Sequence, residues 1–357
     1  MATERYEFKG ALEFCKQVFT KFSYTEEEAG IIAEAILTSD LFGIMTHGIL
    51  LLSSYEEAME HGRIDPKARP EILQETPVSA LMEGHSAMGH LTAYRAMELA
   101  IKKAKESGIG VVSVRNSNHY GFAGFYPLMA IKQNMIGFST TNTEGIMVPT
   151  NGKRALLGTN PLAFGMPAHP FPLLLDVATT IIPSSKLTMH TVSKTPLQEG
   201  WAIDSTGNPS TDAAEVRRCL SEKISGGLLP FGGHKGYGIS LMLEALTGIL
   251  AGGFTSDMVR YDPWKDQMCH LFVAMDYGMF GDKSAIELRL SSYLEMIRTS
   301  ERANPDVPIL THGEKEFRTM KENQQKGIAI LDTTYADLKE LAKRMEISLS
   351  DFLIPVK

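Results

Sequence analysis

The chain has 357 residues, long enough for one large domain or two moderate ones. Hydrophobic residues at 43% and charged residues at 22% are ordinary for a globular protein, and the formal net charge of −7 argues against a nucleic-acid surface. Three well-separated cysteines (Cys15, Cys219, Cys269) show no metal-ligand spacing, which points to a reducing compartment.

In chain order, the N-terminal part reads as helical. Thr25-Glu26-Glu27-Glu28 fits a capping box, followed by Ile31, Ile32, Ala35 and Ile36 at helical spacing up to about Phe42. That places Thr46 and His47 in the turn beyond. The spacing predicts a second helix over 92–105, ended by Gly108-Ile109-Gly110, and a buried strand over 111–115. Ser117-Asn118-His119-Tyr120-Gly121 therefore sits just past a strand end, where α/β proteins place ligands. A helix over 125–133, a strand over 136–141 and the run Leu173-Leu174-Leu175-Asp176-Val177 follow. Residues 183–235, rich in Pro, Gly, Ser and Thr, read as a long excursion of turns. Helices over 238–250, 285–298 and 335–345 alternate with strands over 271–276 and 327–331.

The expected fold class is α/β, divided discontinuously. Residues 1–115 and 285–357 are expected to form a helical unit, and residues 116–284 a strand-rich, cofactor-binding one. The polar N-terminal residues carry no signal-peptide core, and no run approaches the roughly 18–20 apolar residues of a membrane span, so a cytoplasmic location is expected. No G-x-G-x-x-G follows a strand, and no P-loop, H-E-x-x-H or G-x-S-x-G occurs. His85 and His90 lack an obvious third ligand, so no metal site is expected.

Seven segments, taken in order, resemble the type 2 malate/L-lactate dehydrogenase family over about residues 8–350. They are Asp40-Leu41-Phe42-Gly43-Ile44-Met45-Thr46-His47-Gly48, Ser117-Asn118-His119-Tyr120-Gly121, Gly158-Thr159-Asn160-Pro161, Asp176-Val177-Ala178-Thr179-Thr180, Gly200-Trp201-Ala202-Ile203-Asp204, Lys235-Gly236-Tyr237-Gly238 and His312-Gly313-Glu314. The resemblance implies a non-Rossmann fold, a small-molecule carboxylic acid substrate, NAD or NADP as cofactor with NAD favoured, and a homodimer. Malate is the default substrate. The alternatives are a ureidoglycolate- or lactate-type dehydrogenase, a 2-oxo or imino acid reductase, or a drifted dinucleotide-binding homologue.

Hydride transfer needs a group that moves the hydroxyl proton, and histidine suits that step. The resemblance offers two, His47 and His119, with a slight lean towards His47. It implies Thr46, Thr143, Asp176, Val177, Ala178, Lys235, Gly236, His312, Gly313 and Glu314 at the cofactor and Thr159 at the substrate. Three departures concern the substrate side. Leu51 stands where the family has a carboxylate-gripping arginine, Met45 where an acidic residue is common, and Pro183-Ser184-Ser185-Lys186 keeps only the lysine of a basic turn.

Overall fold

The computed structural model describes residues 3–260, 262 and 265–356. Strand β1 (Thr3–Tyr6) leads into helices α1 (Phe8–Lys21) and α2 (Glu26–Leu41). The Thr25 hydroxyl accepts the Glu28 N–H while the Glu28 carboxylate accepts the Thr25 N–H, so the capping box is formed. Such a cap is worth about 1 kcal/mol. Ala29, Ile32, Ala33, Ala35, Ile36 and Leu37 then bury α2 in the main core. Helix α3 (Leu52–Glu60) follows, and a hairpin of β2 (Glu71–Glu75) and β3 (Ser79–Glu83) precedes α4 (Gly89–Ser107). Gly108, at φ +82°, lets the chain turn directly from α4 into β4 (Ile109–Ser117).

Next come α5 (Phe125–Ile131), β5 (Ile136–Thr141), β6 (Leu162–Met166) and β7 (Leu173–Val177). The stretch 183–235 is not the expected run of turns. It contains α6 (Ser184–Ser193), short strands β8 (Ala202–Ile203) and β9 (Pro209–Ser210), α7 (Ala213–Ser221) and β10 (Gly227–Leu228). Two things order it. Asp212 accepts the Ala214 and Glu215 N–H groups at the start of α7, and a second apolar cluster of Ile182, Leu187, Leu197, Ala213, Val216 and Leu228 packs the two helices over the small sheet. Helix α8 (His234–Glu244) continues through a wider π-type turn over Ala245–Ile249. The chain closes with β11 (Met268–Met275), α9 (Lys283–Arg298), α10 (Glu314–Lys326), β12 (Ile328–Leu331) and α11 (Asp332–Arg344).

Among the described residues a seven-stranded sheet runs β2-β3-β4-β11-β5-β6-β7. Only β3 and β4 in it are parallel; the other neighbours are antiparallel. Strand β4 delivers Ser117 and the loop beyond it to one end of the sheet, and β7 delivers Asp176. The terminal strands β1 and β12 pair antiparallel beside the main core. No helix among the described residues is long and apolar enough to cross a membrane. All three cysteines are buried free thiols.

Candidate active site

The first wall is built where α2 ends. The chain passes through two 3₁₀ turns, Met45–His47 and Ile49–Leu51, before entering α3. Asp40, near the end of α2, organises this corner, its carboxylate accepting the Ile49 N–H at 2.7 Å. Gly48 lies so close to that carboxylate that any Cβ would overlap it. Gly48→Ala should therefore cost about 1–3 kcal/mol and disturb His47, as urea denaturation and kcat would register. Thr46 Oγ1 lies 3.0 Å from His47 Nδ1. Burial of the His47 ring holds its pKa below the ordinary value of 6.5. Leu51 packs against the main core, and Met45 is half-buried at the start of the first turn.

Burial also pushes the Asp40 carboxyl up to about 8. A folded-state pKa above the unfolded value means that the native state keeps a proton the unfolded chain has lost. The contribution of Asp40 to stability is then fully present below about pH 4 and is lost as pH climbs towards 8. Asp40→Asn, which keeps an oxygen for the Ile49 N–H, should flatten the fall of melting temperature across that window. An unaltered pH profile would mean that Asp40 is not the group responsible.

The second wall is the loop after β4. Asn118 donates to the carbonyls of Ser86 and Ala87 at 2.7 and 2.9 Å, fixing the loop to the segment before α4. Gly121 has φ +77°, and a Cβ there would sit 2.5 Å from His90 Nε2, so a glycine is required. Between these anchors His119 faces His47, their rings 5.7 Å apart and 22° from parallel. Tyr55, from α3, lies with Oη 2.8 Å from His119 Nδ1. Burial first, then the neighbouring charges of His47, His90, Arg260 and His270, hold the His119 pKa well below 6.5. His90 is buried edge-on to Tyr55 and is pushed down to about 3, mainly by burial, whereas His85 meets Glu71 at the surface. Among the described residues no group of three His, Cys, Asp or Glu side chains could hold a metal ion.

The third wall gathers around the end of β7. The Gly124 N–H donates to Asp176 Oδ2 at 2.7 Å, joining the His119 loop to this wall. Burial pushes the Asp176 carboxyl up to about 7. Thr179 donates through both its N–H and its hydroxyl to the Thr159 carbonyl, each at 2.8 Å, and so sets Thr159 beside Ala178. Thr159 in turn donates its N–H to Thr143 Oγ1 at 2.9 Å, with the two hydroxyls 3.1 Å apart. Beneath them lies Glu244. Its carboxylate accepts from Asn142 (3.1 Å), Asn160 (2.9 Å), and the Ser256 N–H (2.9 Å) and hydroxyl (2.5 Å).

Two further segments border β7. The Phe231 N–H donates to the Thr179 carbonyl at 3.0 Å, bringing the N-terminus of α8 alongside. Gly232 and Gly233 have positive φ and open space around them, no side chain caps the helix, and Lys235 lies exposed in its first turn, ahead of Gly236. On the other side the Leu174 N–H donates to the His312 carbonyl at 3.1 Å, and a Cβ on Gly313 would be 2.8 Å from that of Leu174. Glu314 is spent within the fold on Arg298 (2.9 Å) and Arg318 (2.5 Å). The glycine-opened, uncapped N-terminus of α8 suits a diphosphate, because its N–H groups and helix dipole favour an anion. The residues present therefore fit a dinucleotide.

The model for the malate/L-lactate dehydrogenase family matches residues 6–339. The chain belongs to that family. It is 40% identical over 344 residues to the malate dehydrogenase of Pyrococcus abyssi, covering 94% of this chain and 93% of that one. It is 37% identical to the L-sulfolactate dehydrogenase of Methanocaldococcus jannaschii, covering 94% and 96%. The crystal structure of malate dehydrogenase from Entamoeba histolytica superposes with a TM-score of 0.93 at 30% identity, over 97% of this chain and 99% of the other. As a member of the malate/L-lactate dehydrogenase family the chain is an oxidoreductase of the kind that acts on hydroxy acids, and the expected non-Rossmann α/β fold is the one found.

This family member also carries candidate site residues to which the sequence alone gave no role. Tyr55 lies one helical turn beyond Leu51, a spacing that places both on one side of the α3 entrance. Asp40 opens the first of the seven segments but was given no role there, and Glu244 lies in no motif; burial singles out both.

Proposed function

We propose that the protein is an NAD(P)-dependent 2-hydroxy acid dehydrogenase with malate as its first-choice substrate, and that His119 moves the hydroxyl proton. The observation that carries this reading is the contact of His119 Nδ1 with Tyr55 Oη, beside His47 and on a loop that Gly124 ties to the β7 wall. With Nδ1–H donated to the phenol oxygen, Nε2 presents a lone pair, the tautomer a general base requires. After it takes the proton, the same Nδ1–H···Oη bond persists. Its depressed pKa keeps the ring neutral and ready as a base near neutral pH. His47 flanks the substrate as a second polar group. This reverses the lean towards His47, whose Nδ1 contact is with the neighbouring and exposed Thr46.

In this reading Thr159 contacts the substrate. Thr46, Thr143, Val177, Ala178, Lys235, Gly236, His312 and Gly313 border the dinucleotide, with Lys235 near its phosphates and Asp176 holding the His119 loop against it. Glu314 acts one step back, by fixing the loop it begins. When bound, the nicotinamide supplies the acceptor for the hydride leaving C2 of the substrate. The chain's own residues orient that carbon, exclude water and take the hydroxyl proton. NAD is preferred to NADP, the location is cytoplasmic, and the unit of residues 1–115 and 285–357 makes a homodimer while residues 116–284 hold the cofactor.

A panel of 2-hydroxy and 2-oxo acids with NAD(H) and NADP(H), followed at the nicotinamide absorbance, tests the reading. Turnover of malate with NAD above the rest supports it. Turnover of imino acids alone would replace it with a reductase, and silence across the panel would leave a binding protein.

A further inference from the structure

A 2-hydroxy acid whose hydroxyl meets His119 carries its carboxylate on the adjacent carbon, and that charge needs a cation once water is excluded. The first wall offers none, since Leu51 and Met45 are apolar. Arg260 lies elsewhere in the chain, between α8 and β11, yet its charge acts on both His119 and Tyr55. One edge of the guanidinium engages the buried Asp266, with Nε 2.7 Å from Oδ1 and Nη2 3.4 Å from Oδ2. On the opposite side Nη1 is 3.8 Å from the carboxylate of Glu144, beyond hydrogen-bond reach. Glu144 directly follows Thr143, whose hydroxyl meets that of Thr159.

Through Glu144, Arg260 thus stands beside the segment that carries Thr143, and its charge is felt at Tyr55 and His119. Its backbone has φ +55°, which side-chain-bearing residues rarely adopt, and its carbonyl is held by Lys223 Nζ at 3.0 Å. Asp266 takes one N–H from Nε and one from Nη2. Among the described residues the Nη1 groups and the second Nη2 N–H have no acceptor within hydrogen-bond reach, and together they form a two-pronged donor of the kind that matches a carboxylate.

We propose that Arg260 binds the carboxylate attached to the reacting carbon of the substrate, supplying from the segment before β11 the guanidinium that the Leu51 position lacks. Asp266 holds it in place, and Glu144 yields its loose contact when the substrate arrives. The inference rests on the dehydrogenase reading and names the group that makes the site selective for 2-hydroxy carboxylates.

The test compares wild type, Arg260→Met and Arg260→Lys with lactate, which carries one carboxylate, and malate, which carries two. Dinucleotide Kd is measured separately by fluorescence. A charge-assisted carboxylate contact predicts a KM rise of about 10- to 100-fold for both acids in Arg260→Met, with dinucleotide Kd unchanged. Arg260→Lys should lie in between, because a point charge remains without the fork. Unchanged KM in Arg260→Met overturns the proposal while leaving the dehydrogenase reading intact. A loss confined to malate also overturns it, by assigning Arg260 to the distal carboxylate. Should the methionine variant not fold, Arg260→Lys decides: raised KM for both acids with normal dinucleotide Kd supports the proposal, and wild-type KM overturns it. A wild type inert towards every hydroxy acid removes the dehydrogenase reading and this inference together.

Discussion

Replacing His119 with alanine is expected to lower kcat by about 10²- to 10⁴-fold, the range for losing a positioned general base. Dinucleotide Kd should stay at the wild-type value, because the β7 and α8 walls remain. His47→Ala should cost less. Tyr55→Phe removes only the partner of Nδ1 and should lower kcat by no more than about tenfold. The pH profile gives a second check. The base is the neutral ring, so kcat/KM for oxidation falls as pH drops through the His119 pKa, and burial puts that limb below 6.5. Wild-type activity should thus persist at pH 6, and the low-pH limb should vanish in His119→Ala. A limb that survives unchanged in the variant would assign the proton step to another group, His47 first.

The second large effect is expected at Glu244, through stability. Its carboxylate is the shared acceptor for Asn142, Asn160 and Ser256 beneath the third wall. Glu244→Ala leaves several buried donors without a partner, and each such donor costs about 1–3 kcal/mol. A loss of about 3 kcal/mol or more in urea denaturation is expected, together with a raised substrate KM as Asn160 and Thr159 move. Glu244→Gln keeps the shape but turns an N–H₂ group towards other donors, and should fall between. Wild-type stability in Glu244→Ala would show that water replaces the carboxylate without cost.

The sequence was most informative where side-chain periodicity coincided with a terminating signal. The capping box at Thr25, the glycine ending α4 and the apolar strands β4, β5 and β11 are each local, and each formed as expected. Strand β2 was missed because all five of its residues are exposed and give no alternation. Helix α10 was missed because its interior is polar apart from Phe317 and Met320. In the 183–235 stretch, Pro, Gly, Ser and Thr density outweighed the apolar positions Leu187, Val216 and Cys219, which order α6 and α7 by packing rather than by propensity.

The site divides in the same way. Glycine-bearing turns such as those at His47, His119, Lys235 and Gly313 stand out along the chain, since close backbone approach restricts the residue type. The residues that aim them do not. Tyr55 and Glu244 act across separations of 64 and 102 residues, from positions with no local pattern. Even so, the paired histidines were legible from their turns, whereas the Tyr55 partner of His119 Nδ1 required the packing of α3 against the β4 loop.

Deuterium transfer from the substrate carbon tests the central claim most directly. Malate labelled with deuterium at C2 would be incubated with NAD and the enzyme, and the reduced nucleotide recovered and weighed by mass spectrometry. The reading predicts one deuterium on the nicotinamide ring per malate oxidised, transferred more slowly in His119→Ala in proportion to the fall in kcat. Reduced nucleotide without deuterium, or oxidation of malate with no nucleotide reduced, would contradict it.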